Sequence, residues 1–217
     1  MRNDITELVF ILDRSGSMHG LEKDTIGGFN SLIAKQRLLP GQTWVTTVLF
    51  SGRHDRIHDR LPLDKVPELT ERDYVPSGCT ALLDAVGDTI RHIARIHRYA
   101  RPEDVPEKTL VVITTDGMEN ASHRYRPEEV RRLIEHEKEK YGWEFLFLGA
   151  NIDAVSTAGS LGIREDRCVD FNPDDLGMDL SFEAVENVVT SARLRQAVPP
   201  TWNAKVAEDH RSRKSKR

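Results

Sequence analysis

The chain has 217 residues, of which 38% are hydrophobic and 30% charged, and its formal net charge is −4. This length and composition are ordinary for one folded domain with a substantial core. No apolar run approaches the roughly 18 residues that a membrane-spanning helix needs, and the N-terminus shows no signal-peptide pattern. We therefore expect a cytoplasmic protein that does not interact with membranes.

The charge is unevenly distributed along the chain. Segment 201–217 carries six Lys or Arg against two acidic residues, whereas the remainder carries 25 basic against 33 acidic residues. An acidic body argues against nucleic-acid binding by the folded part and leaves RNA contact through the basic segment as an alternative. We expect 199–217 to be a basic, disordered C-terminal tail. Cys79 and Cys168 match no zinc or redox spacing and are expected to be reduced thiols.

Two hydrophobic periodicities alternate along the chain. Continuous apolar or β-branched runs predict strands at 5–12, 43–50, 109–115, 143–148 and 168–171. Apolar residues at helical spacing or helix-start signals predict helices at 21–36, 81–98, 127–140, 152–160 and 181–196. Segment 56–63 alternates polar with apolar residues and contains Pro62, which is typical of a half-exposed edge strand in a hairpin with the strand before it.

Strands that alternate with helices form βαβ units. The pattern therefore predicts an α/β fold with a doubly wound, mainly parallel central sheet and helices on both faces. Segment 56–63 would be the one antiparallel edge strand of this sheet. There is no internal repeat and no low-complexity linker before Pro199, so we predict one domain at 1–198 followed by the tail.

Polar side chains cluster where three elements meet their loops. Asp13, Ser15 and Ser17 directly follow the first strand, and Asp116 follows the 109–115 strand. Thr80 precedes the 81–98 helix and is expected at its N-cap. Because ligands collect at the carboxyl ends of parallel strands, these loops are expected to bring two carboxylates and three hydroxyls together. Such an oxygen-only set suits Mg²⁺ or Mn²⁺.

These residues resemble the metal-ion-dependent adhesion site of von Willebrand factor A domains. The family's Asp-x-Ser-Gly-Ser-Met motif is completed here by Met18, and its Gly-x-Thr segment corresponds to 77–82. Its Thr-Asp-Gly motif stands here at 115–117. The resemblance covers about residues 4–195, so 1–198 is expected to be a domain of this type. Cys79 stands where the family commonly has glycine, and it is expected to pack rather than join a metal shell.

The resemblance implies protein binding rather than catalysis. Its metal ligands are Asp13, Ser15, Ser17, Thr80 and Asp116, which would hold Mg²⁺ or Mn²⁺, and a Glu or Asp side chain of a partner protein would fill an open coordination position. Glu119 is expected to hinder acidic partners or to hold a water near the metal. Intracellular members commonly act as assembly modules, often beside AAA+ ATPases. This chain has no P-loop, so any such ATPase would be a separate subunit.

A metal-dependent hydrolase or phosphotransferase is the alternative class. A metal beside Asp13 at a strand end resembles haloacid-dehalogenase phosphatases, but these need a second Asp two positions on, where this chain has Ser15. Ser15 or Ser17 as a nucleophile would need a general base, and His19 is the only histidine close in sequence. Other histidines are expected on solvated faces, namely those at 54, 58, 92 and 97.

Overall fold

The structure, a computed structural model, describes residues 4–214. Strands of one central sheet are β1 (Ile5–Asp13), β2 (Gln42–Phe50), β3 (His54–Pro62), β4 (Lys108–Thr115), β5 (Glu144–Gly149) and β6 (Cys168–Asp170). Their order is β3-β2-β1-β4-β5-β6, and every neighbouring pair is parallel except β2 with β3. The predicted doubly wound α/β fold with one antiparallel edge strand is confirmed.

Helices cover both faces of this sheet. They are α1 (Glu22–Gln36), α2 (Leu82–Tyr99), α3 (Pro127–Tyr141), α4 (Ala154–Ser160), α5 (Asp175–Arg193) and α6 (Ala204–Lys214). The side chains of α1 and α5 build the core on one face, and those of α2, α3 and α4 build the core on the other. α5 begins at Asp175 rather than at 181, because the Asp174 side chain caps it by accepting the Gly177 N–H at 2.9 Å.

The two central strands create the crevice in which a ligand would sit. β1 pairs with β2 on one side and with β4 on the other. The chain builds one half of the sheet from β1 to β3 and the other half from β4 to β6. The connections that follow β1 and β4 therefore diverge, which leaves a switch point at the carboxyl ends of these two strands.

The expectation of a disordered tail at 199–217 is wrong for its described part. Residues 204–214 form α6, which packs against α5 and lies beside β6, the outermost strand. Trp202 and Val206 are buried, and the Trp202 indole N–H donates to the carbonyl of Asp166 at 2.9 Å. Residues 215–217 of the predicted tail lie outside the described part of the chain.

No helix within residues 4–214 is long and apolar enough to cross a bilayer. Both cysteines are free thiols, as predicted. Cys79 is exposed, so the expectation that it packs is wrong. Cys168 is buried, and this burial raises the pKa of its thiol to about 11, which makes it a poor nucleophile.

Candidate metal site

Asp13 is the last residue of β1, and only 1% of it is exposed. Its Oδ1 accepts the Ser15 N–H at 2.7 Å, and its Oδ2 accepts the Thr115 hydroxyl at 2.6 Å. The Tyr74 hydroxyl donates to the backbone carbonyl of Asp13. Burial raises the pKa of the Asp13 carboxyl, although the bonds from Thr115 and Ser15 favour its charged form. The carboxylate is therefore held in place by neutral donors alone.

Two serine hydroxyls connect the Asp13 carboxylate to the carboxylate of Asp116. Ser15 Oγ lies 3.0 Å from Ser17 Oγ, and the Ser17 hydroxyl donates to Asp116 Oδ1. Asp116 is 2% exposed, and the pKa of its carboxyl is raised by burial and also by the charge of Asp13. Ser17 is exposed, so solvent reaches the cluster from this side. The structure thus brings four of the five predicted ligands into one connected group.

Backbone hydrogen bonds fix the loop that carries these serines. The Arg14 N–H donates to the Phe50 carbonyl at 2.7 Å, and the Gly16 N–H donates to the Gly78 carbonyl at 3.0 Å. The Arg14 guanidinium pairs with Asp55 rather than with Asp13 or Asp116. The first loop is therefore tied to the end of β2 and to the segment that carries Thr80.

Thr80 is the fifth predicted ligand, and it lies against the same cluster. α2 begins at Leu82 with Ala81 at the N-cap position and no side-chain cap, so the prediction that Thr80 caps this helix is wrong. A Cβ added to Gly117 would lie 3.3 Å from Thr80 Oγ1 and 3.4 Å from Ser17 Oγ. The two hydroxyls therefore flank Gly117, and a side chain at this position would crowd both of them.

The loop after Asp116 holds Thr80 in place, a role that no sequence motif indicated. Asn120 Oδ1 accepts the Thr80 N–H at 2.9 Å, and the Asn120 N–H donates to the Thr80 carbonyl at 3.0 Å. Glu119 Oε2 accepts the Leu83 N–H at 2.9 Å and the Ser122 hydroxyl at 2.8 Å. Glu119 therefore anchors the start of α2, and the expectation that it hinders partners or holds a water is not supported by its contacts.

Asp84 fastens the same loop to α2 from the helix side. Its carboxylate accepts the backbone N–H groups of His123, Arg124 and Tyr125 at 3.0, 2.9 and 3.0 Å. Burial acts to raise the pKa of this carboxyl, but the three N–H donors and the Arg124 charge outweigh it and lower the pKa. The loop with Asp116 and the segment with Thr80 therefore form one fixed unit.

The chemistry of the cluster fits a small divalent cation. Among residues 4–214, no Lys, Arg or His forms an ion pair with Asp13 or Asp116. The same part of the chain contains no group of three or more His, Cys, Asp or Glu side chains that could hold a metal. The ligands are instead two carboxylates and three hydroxyls, all of them hard oxygen donors.

Comparison with known proteins supports the fold. No protein-family profile and no curated protein sequence matches the chain. Solved structures match it, among them proximal thread matrix protein 1 from the mussel byssus with a zinc-occupied adhesion motif (15% identity, 87% of this chain and 47% of that chain, TM-score 0.58). A von Willebrand factor type A protein from Catenulispora acidiphila also matches (16% identity, 85% and 42%, TM-score 0.53).

A third match is manganese-loaded TRAP protein from Plasmodium vivax (17% identity, 84% of this chain and 74% of that chain, TM-score 0.55). The fold is that of a von Willebrand factor A domain. At these identities the similarity concerns the fold alone. The chain spans less than half the length of the mussel and Catenulispora proteins.

Proposed function

We propose that the chain is a metal-dependent protein-binding module with an intact metal-ion-dependent adhesion site. Mg²⁺ or Mn²⁺ would be held by Asp13, Ser15, Ser17, Thr80 and Asp116. The observation that carries this proposal is that two buried carboxylates meet hydroxyl groups and no cationic side chain. A buried carboxylate without a counter-charge is unfavourable, and a bound cation would supply that charge. The zinc and manganese named for two of the structural neighbours agree with this choice of ligand.

When bound, the metal would supply an electrophilic centre that an external carboxylate can coordinate. Three of the five ligands would be neutral hydroxyls, so a cation that met one of the two carboxylates only through water would keep net electrophilicity. Thr115 orients Asp13 and Asn120 orients Thr80, so the ligands are positioned before binding. A partner protein that presents a Glu or Asp side chain fits this site, and the chain would act as an adaptor in a cytoplasmic complex.

The same contacts favour binding over catalysis. The Ser15 and Ser17 hydroxyls are hydrogen-bonded to each other, and the Ser17 hydroxyl also donates to Asp116. Neither hydroxyl bonds to a histidine among the described residues. Instead, His19 Nδ1 lies 3.2 Å from Glu22 Oε1. A serine nucleophile needs a general base, so these hydroxyls act as ligands in our proposal. Hydrolysis of a generic phosphoester that is lost in Asp13→Asn would contradict this assignment.

Direct metal binding is the first test. In calorimetry with Mn²⁺, we expect one binding site in the wild type. The Mn²⁺ affinity of Asp13→Ala should be weaker by more than about 100-fold, because loss of a residue that only supports a metal ligand already weakens metal affinity by up to about 100-fold. Asp64→Asn is the matched control, because its side chain is 70% exposed and lies near the amino end of β2. Equal Mn²⁺ affinity of wild type and Asp13→Ala would exclude the site.

Partner capture is the second test. Affinity purification with the wild type in Mg²⁺ is expected to retain a partner that is lost on addition of EDTA. The same partner should be absent with Asp13→Ala and present with Asp64→Asn. Retention in EDTA together with retention by Asp13→Ala would show that the partner binds elsewhere and would separate the metal site from protein binding.

A further inference from the structure

A cavity of about 550 Å³ lies at the end of the sheet opposite Asp13, where β2 begins and where α1 and α5 end. Its walls include apolar residues of two segments, namely Leu39 after α1, and Pro62 and Leu63 where β3 ends. Pockets for small ligands typically measure about 300–1,000 Å³. The cavity is therefore large enough for a small organic molecule.

One hydroxyl in the cavity wall has no partner. Thr43, the second residue of β2, lines the cavity and is 5% exposed. Its hydroxyl is buried and forms no hydrogen bond within residues 4–214. Val45, two positions further along β2, belongs to the core under α1 and α5, so the Thr43 side chain points to the same face of the sheet. Because buried polar groups are normally hydrogen-bonded, this hydroxyl is available to a ligand.

Two guanidinium groups line the same cavity, and neither has a carboxylate partner among residues 4–214. Arg193 is 8% exposed, and its Nη1 and Nη2 donate only to oxygen atoms of Gln36 and of segment 39–41. Burial lowers the pKa of this guanidinium, and no carboxylate of the described chain raises it. Arg37 donates to backbone carbonyls of segment 63–66. Carbonyl oxygens orient both groups but offset their charge only in part.

The balance of charge in the cavity wall is positive. Within the described part of the chain, Asp64 is the one acidic residue that lines the cavity. Its side chain is 70% exposed, and its Oδ2 lies 3.6 Å from Lys65 Nζ. The buried guanidinium of Arg193 is therefore left without a counter-charge. Such a buried charge is unfavourable, and an anionic ligand would supply the missing counter-charge.

We propose that this cavity binds an organic carboxylate that carries a small apolar body. The carboxylate would accept hydrogen bonds from the Arg37 guanidinium and the Thr43 hydroxyl, and the charge of Arg193 would add to the attraction. The apolar body would lie against Leu39 and Pro62. A free organic acid and the C-terminus of a polypeptide both offer this chemistry. The site is independent of the proposed metal site, because the two lie at opposite ends of the sheet.

Calorimetry with N-acetylleucine tests the proposal, with N-acetylleucine amide as the uncharged probe of the same shape. We expect the wild type to bind the carboxylate at least about tenfold more tightly than the amide, as for one charge-assisted contact. Arg37→Gln should abolish this preference, whereas Arg95→Gln, which removes the same charge from an exposed position on α2, should keep it. Thr43→Val should weaken binding of the carboxylate without lowering the thermal stability, because the hydroxyl has no partner within residues 4–214.

A third probe, 4-methylpentanoate, separates the two sources, since it keeps the carboxylate and the isobutyl group of N-acetylleucine but has no peptide group. Binding at least as tight as that of N-acetylleucine would assign the cavity to a free acid, and weaker binding would assign it to a polypeptide C-terminus.

Four outcomes would overturn the proposal. One is equal binding of N-acetylleucine and its amide to the wild type, or no binding of either. The second is an unchanged preference for the carboxylate in Arg37→Gln, and the third is an unchanged affinity for it in Thr43→Val. The fourth is weaker binding of the carboxylate in Asp64→Asn, because removal of a negative charge from the wall should favour an anion.

Discussion

β1 carries two buried carboxylates on the same face, one near each end, and the two have different hydrogen-bond partners. Glu7 is 0% exposed, and Arg60 Nε lies 3.1 and 2.8 Å from its two carboxylate oxygens. His97 Nε2 lies 3.2 Å from Glu7 Oε2. Asp13, six positions further along, is 1% exposed and receives hydrogen bonds only from neutral groups.

We infer from this difference that Glu7 is a structural carboxylate, whereas Asp13 is a candidate metal ligand. The charge of Glu7 is balanced by side chains of the same chain, so this group belongs to the internal architecture. The charge of Asp13 is not balanced, and Asp116 beside it adds a second negative charge. A buried carboxylate without a counter-charge is favourable where a ligand supplies the charge, and this is the physical basis for proposing a metal at Asp13 rather than at Glu7.

Exchanging each carboxylate for its amide tests this comparison most strongly. Glu7→Gln would leave Arg60 and His97 beside a neutral group, and we expect it to lower the free energy of unfolding by about 3–5 kcal/mol. Asp13→Asn should change it by less than about 1 kcal/mol in EDTA, because the lost charge had no counter-charge. Urea unfolding of both variants in EDTA measures the two values.

Mg²⁺ provides the control for this pair. It should stabilise the wild type and Glu7→Gln equally, by about 2.7 kcal/mol at a concentration 100 times the dissociation constant, and should leave Asp13→Asn unchanged. If Asp13→Asn were as destabilising as Glu7→Gln in EDTA, the Asp13 network would be structural and the contrast would fail.

Much of the fold could be predicted because its signals are local. The apolar runs of β1, β4 and β5 are covered on both faces, and this produces the continuous hydrophobic pattern from which they were predicted. α6 was missed because its sequence has no apolar stripe. It is held by two buried residues, Trp202 and Val206, and by pairs such as Lys205 with Glu183, and these contacts depend on the folded neighbours.

The candidate site could be predicted only in part, for a related reason. The five proposed ligands directly follow strands or precede a helix, and the structure places them at one edge of the sheet. The residues that hold them, Tyr74 and Asn120, lie in irregular loops where neither periodicity nor a motif marks them. The histidines were also misjudged, since His58 is buried and stacks on Phe29, and His97 bonds to Glu7.

Asp84 is a third kind of buried carboxylate, because its hydrogen bonds come from backbone N–H groups. These lower its pKa below the ordinary value of 3.8, so the native state binds its proton less tightly than the unfolded state does. Its contribution to stability is therefore present above about pH 4 and is lost as the pH falls through the lowered pKa. We expect Asp84→Asn to cost about 2 kcal/mol at pH 7, from weakened bonds to a charged group.

Urea unfolding of the wild type and of Asp84→Asn at several pH values measures this difference. A range from about pH 2.5 to about pH 7 extends roughly one unit below and roughly three units above the ordinary carboxyl pKa. The gap between the two proteins should be constant at neutral pH and should shrink in acid. Asp64→Asn, which changes an exposed carboxylate, is the control and should follow the wild type. A gap that grows in acid would mean that Asp84 is destabilising when charged.

The smallest expected effect on stability comes from Asn120, which holds the proposed ligand Thr80 but is not itself a proposed ligand. Asn120→Ala leaves the Thr80 N–H without its acceptor, and we expect a loss of about 1 kcal/mol in stability together with about tenfold weaker Mn²⁺ binding. Ser122→Ala is the control, since its hydroxyl bonds to Glu119 in the same loop but not to Thr80. It should lose similar stability and keep its Mn²⁺ affinity. Equal losses of Mn²⁺ affinity in both variants would mean that the rigidity of the whole loop, and not the position of Thr80, determines metal binding beside Asp13.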